Sequence, residues 1–125
     1  MFFRWGRIEI KFSLKHVKGF VERSYKEGAY RRLKGREHIA ISIRHVPLEA
    51  GTELRIGYNT YKIEKSSYLV FIDLLHQGNF AHPVLYELHR IEDGSVRTIE
   101  EEWPIADPEL ERTLIPFILP GKEDK

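Results

Sequence analysis

From Arg7 to Leu14 polar and apolar residues alternate strictly, with Ile8, Ile10, Phe12 and Leu14 on one side of the pattern and Arg7, Glu9, Lys11 and Ser13 on the other. A period of two predicts a strand with one buried face. At Leu14 the period changes. Leu14, Val17, Val21 and Tyr25 recur at spacings of three and four, the stripe of an amphipathic helix. Ser13 suits its N-cap, Gly28 its stop, and Gly35 closes the less regular stretch that follows.

Strand patterns then take over. Ile39, Ile41 and Ile43 alternate with small or polar residues until Pro47, which cannot donate to a ladder. Leu54, Ile56 and Tyr58 alternate, as do Tyr61 and Ile63, and Asn59-Thr60 between them reads as a hairpin turn. Tyr68 to Leu75 is nearly continuously apolar, which predicts a central strand covered on both faces. Gln77 to Ala81 reads as a loop. Val84–Ile91 and Val96–Ile99 flank Glu92-Asp93-Gly94-Ser95, a strong hairpin signal. Asp107-Pro108-Glu109 opens a short helix with Leu110 and Leu114 facing the core, ended by Pro116. Phe117-Ile118-Leu119 then forms an apolar tail, and residues 1–6 and 121–125 read as mobile ends. The expected class is α+β: a mostly antiparallel, curved sheet of about seven strands, an N-terminal amphipathic helix across it, and a short C-terminal helix.

Length and composition narrow the functional field. The 125 residues suit one domain, and 42% hydrophobic with 31% charged residues excludes disorder. No apolar run is long enough to span a bilayer, and the first residues do not read as a signal peptide, so a cytoplasmic location is expected. With no cysteine, thiol catalysis, disulfides and Cys-based metal sites are excluded. One Gln and two Asn amid many Lys, Arg and Glu suggest a thermophilic source. Nucleophile-elbow, phosphate-loop and dinucleotide-binding motifs are all absent, and no cofactor is expected.

Charge is segregated along the chain. Residues 1–36 carry five Lys and six Arg against three Glu, net +8, while the remainder is net −7. Nine cations lie between Lys11 and Arg36, interleaved with Phe20, Tyr25 and Tyr30. Cations opposite a helix's apolar stripe can neutralise phosphates without reading bases. The leading expectation is therefore non-specific binding of RNA or DNA: Lys15, Lys18, Arg23, Lys26, Arg31 and Arg32 would hold phosphates, and Tyr30 would stack on a base. The acidic run Glu100-Glu101-Glu102, followed by Trp103, offers an alternative, in which basic and acidic regions of two copies meet in a homodimer.

A third reading is enzymatic. Asp73 interrupts the apolar central strand, and burying a carboxylate requires a partner or a raised pKa. Glu87 and His89 share a strand face about 6.6 Å apart at the usual rise. With Asp73 they could serve as acid, base and orienting group of a small hydrolase or ribonuclease. Of the six histidines, at positions 16, 38, 45, 76, 82 and 89, no pair has helical metal-ligand spacing, and no metal site is expected.

Overall fold

A computed structural model describes residues 12–32, 39–73 and 83–118, without the side chains of Arg31 and Arg32. The expected strand at 7–14 lies outside them except for its last residues. So do the loop at 77–81 and the expected mobile ends.

Helix α1 spans Leu14–Lys26, as its stripe requires. Val17 and Val21 are buried, and Leu14 and Tyr25 pack beside them. At its N-terminus His16 Nδ1 accepts from the Ser13 backbone N–H at 3.1 Å, the returning half of a capping box with histidine in place of Glu or Gln. Gly28 follows the helix at φ +79°, and a short 3-10 turn covers Ala29–Arg32.

Among the described residues seven strands follow: β1 Ala40–Arg44, β2 Glu53–Ile56, β3 Asn59–Lys62, β4 Ser67–Asp73, β5 Val84–Arg90, β6 Val96–Glu101 and β7 Leu114–Pro116, with the short helix α2 at Pro108–Glu111 before the last. Every pairing between these strands is antiparallel. Five strands form one sheet in the order β6-β5-β4-β1-β7, and β2 and β3 form a separate pair. The fold is α+β, and β4 is indeed the central strand.

The main sheet separates two apolar layers. Side chains of Ile41, Ile43, Val70, Ile72 and Leu85 meet α1 on one face. On the other, Leu69, Val84, Tyr86 and Leu88 meet Leu54, Ile56 and Ile63 of the β2–β3 region, with Ile99 and Ile105.

Two local expectations are corrected. The β2–β3 turn is Gly57-Tyr58 rather than Asn59-Thr60, because Ile56 pairs with Asn59 and Gly57 takes φ +58°. That is the first-position glycine a type II′-like turn uses. Helix α2 keeps its expected start, with Asp107 accepting from the Glu109 N–H, but it ends at Glu111. Leu114–Pro116 instead pairs with β1 as an edge strand, where a proline's missing donor faces outward at little cost.

Candidate functional site

Antiparallel β5 and β6 turn through Glu92-Asp93-Gly94-Ser95, as their sequence signals. Asp93 accepts from the Ser95 N–H at 2.9 Å and from its hydroxyl at 2.8 Å, which holds the Asp93 carboxyl below its usual range. Gly94 sits at φ +75° with the Phe12 ring laid against it. The hairpin and α1 thereby enclose a pocket of about 520 Å³, lined by Phe12, Lys15, His16, Phe20, Arg23 and His89, among others.

Its rim is cationic for a reason that can be read from the helix. With Val17 and Val21 buried, positions 15, 19, 23 and 26 face outward at 100° per residue. Lys15, Arg23 and Lys26 are exposed. A Cβ at Gly19 would stand 3.4 Å from an Arg23 guanidinium nitrogen, so the guanidinium folds back over the bare helix surface at Gly19. Lys26, at the far end, is paired with Glu22 at 3.1 Å. Lys18 is half-buried on the other flank. Of the expected phosphate contacts, the structure thus brings Lys15 and Arg23 together at the pocket, while the side chains of Arg31 and Arg32 lie outside the described residues.

Tyr30 is not a stacking surface. It is 2% exposed, because the turn after Gly28 folds it beneath α1 against the sheet. Its hydroxyl donates to Glu87 Oε2 at 3.1 Å. Burial first, and then the Glu87 charge, hold the phenol well above its ordinary value.

Strand β5 contributes His89 to the pocket lining. Glu87 and His89 do share a face of β5, at 5% and 4% exposure, and His89 Nε2 lies 2.9 Å from Glu87 Oε1. An ionised carboxylate only accepts. In a neutral imidazole, a proton on Nε2 donated to Glu87 leaves Nδ1 with a lone pair. Nδ1 has no hydrogen-bond partner among the described residues. Phe20 meets the imidazole edge-on, with ring centres 4.8 Å apart.

Asp73 does not join this group. It pairs with Val84, and cross-strand partners point to the same face. Asp73 therefore lies on the Val84, Tyr86 and Leu88 side, while Glu87 and His89, out of phase with Val84, lie on the α1 side. A site uniting the three carboxylate and imidazole groups is ruled out by register. No cluster of three or more His, Asp or Glu suited to a metal occurs among the described residues, and none of their helices is long and apolar enough to cross a membrane.

In the acidic stretch, Glu101 is held by the β3 side chains Asn59, at 2.8 Å, and Tyr61. Trp103 is partly exposed beside Tyr58. The sequence marks Phe20 only as an aromatic among the cations, His16 only as one of six histidines and Phe12 only as an apolar strand position, and assigns none of them to a site. The usable signal was the helical wheel, which sets His16 and Phe20 on the same flank as Arg23.

No family model matches the chain, and no curated protein or solved structure gives a match.

Proposed function

We propose that the chain binds single-stranded nucleic acid, without reading its sequence, at the pocket between α1 and the β5–β6 hairpin. The observation that carries this is the presence of Lys15 and Arg23 in the lining of one pocket with Phe12 and Phe20, the Arg23 guanidinium lying over Gly19. Two cations lining one pocket attract phosphate, and aromatic walls accept any base or sugar face. Among the described residues, no carboxylate lies in salt-bridge range of Lys15 or Arg23. Lys26 is a lesser contributor, because Glu22 already offsets its charge.

Fluorescence anisotropy of a labelled oligouridylate, titrated with protein across a salt series, tests the reading. Binding should weaken steeply with salt. Substituting Lys15 and Arg23 together by Ala should lower the log–log slope by about 0.7 per cation removed. Absence of binding at low salt, or an unchanged slope in the double variant, would overturn it.

A further inference from the structure

The hydrogen-bond partners of the two pocket histidines favour opposite tautomers of their neutral rings. His16 Nδ1 accepts from the Ser13 N–H at 3.1 Å and lies 3.0 Å from the Ser13 hydroxyl, so neutral His16 carries its proton on Nε2. His89 has the reverse arrangement, with Nε2–H committed to Glu87 and Nδ1 left as a base. One pocket therefore holds an N–H donor, a lone-pair nitrogen and two cations. The Tyr30–Glu87–His89 chain lies under it, and nothing in phosphate binding alone calls for a buried carboxylate there, since a buried negative charge opposes an anionic ligand.

A carboxylate-backed imidazole is what proton abstraction calls for. The carboxylate fixes the tautomer and stabilises the imidazolium once it forms. The substrate that fits a base beside two phosphate-holding cations is a phosphodiester with an adjacent hydroxyl, which is RNA.

We infer that this pocket cleaves RNA by metal-independent transesterification with His89 as general base, an inference that rests on the nucleic-acid reading above. His89 Nδ1 takes the proton of a ribose 2′-hydroxyl. The O2′–P bond forms and the P–O5′ bond breaks. The departing O5′ takes a proton from water, and the hydroxide left behind neutralises the His89 imidazolium. The products are a 2′,3′-cyclic phosphate and a 5′-hydroxyl. Lys15 and Arg23 stabilise the charge gathering on the phosphorane oxygens, and His16 Nε2–H donates to one of them. Glu87 and Tyr30 are positioning residues, acting through the His89 ring.

The test uses a fluorophore- and quencher-labelled RNA oligonucleotide, its 2′-deoxy counterpart and excess chelator, with the intact chain. The expected result is cleavage of the RNA to cyclic-phosphate ends and binding of the deoxy strand without cleavage. His89→Gln should lose about 100-fold or more in cleavage rate while retaining RNA affinity by anisotropy. His16→Ala, at an exposed position, provides a second arm should His89→Gln fail to fold, with cleavage reduced about 10-fold or more and the deoxy strand still bound. Affinity for RNA with no cleavage above a protein-free control would overturn the catalytic inference and leave the binding proposal standing. Failure to bind either strand would remove both. Full cleavage by folded His89→Gln, or cleavage of the deoxy strand, would also refute the role given to His89.

Discussion

The Phe12 ring lies on Gly94 so closely that a Cβ there would stand 2.6 Å from ring carbon Cε1. Gly94 also takes φ +75°, a region that costs an L-residue about 1–2 kcal/mol. Gly94→Ala should therefore destabilise the chain by at least that strain and push Phe12 off the pocket wall. In a Phe12→Ala background only the strain should remain, so urea denaturation of the two singles and the double should give a coupling of about 0.5 kcal/mol or more. Strict additivity would mean that the ring does not rest on this glycine.

Tyr30→Phe removes a donor from a buried carboxylate while leaving the ring in place. Leaving Glu87 Oε2 without its partner should cost about 1–3 kcal/mol. Equilibrium denaturation measures it directly, and an unchanged midpoint would count against the Tyr30–Glu87 bond.

High pH should unfold the protein. Burial, then the Glu87 charge, raises the Tyr30 phenol; burial, then Glu101, Asp73 and Glu111, raises that of Tyr86. The folded chain thus keeps protons that the unfolded chain releases near pH ~10. Stability from these groups is full below that pH and declines as pH climbs through and beyond it, by up to about 1.4 kcal/mol per pH unit for each phenol. Thermal melts from pH ~8 to ~11 should show this decline, and Tyr30→Phe should lose close to one proton's share of the slope.

The layer opposite α1 should matter as much as the layer beneath it. Leu54 is fully buried between the hairpin and the main sheet, so Leu54→Ala should cost about 2–5 kcal/mol. Val46 is 63% exposed, and Val46→Ala should fall within about 0.5 kcal/mol of the parent. Equal small effects in chemical denaturation would contradict a hairpin packed on the second face.

What the sequence made legible was local. The Leu14, Val17, Val21 and Tyr25 stripe, with Ser13 and Gly28 at its ends, marks α1 to within a residue or two, because periodicity and capping act within a few positions. Glu92-Asp93-Gly94-Ser95 marks its hairpin for the same reason. The Gly57-Tyr58 turn was displaced because Tyr58 continues the Leu54, Ile56 alternation, although it stands at the tip of the turn with 93% exposure. Leu114–Pro116 is too short for its period to decide between helix and strand, and its pairing with β1 does decide.

The same division holds for the site. Parity along one strand places Glu87 with His89, a relation contained in β5 alone. Whether Asp73 joins them depends on the register between β4 and β5, and Tyr30 depends on how the chain turns after Gly28. Both are set by long-range packing. Outward cations on α1 follow from its stripe, but their meeting with His89 required the position of the hairpin.

The most direct test of the central claim follows the imidazole resonances of His16 and His89 by NMR during titration with a non-cleavable 2′-deoxy oligonucleotide. Binding in the pocket between α1 and the β5–β6 hairpin predicts that both histidines shift together and saturate with the same affinity, and that neither responds in the Lys15→Ala, Arg23→Ala double variant. Saturable binding that leaves both resonances in place, with shifts confined to residues outside the pocket, would contradict the account.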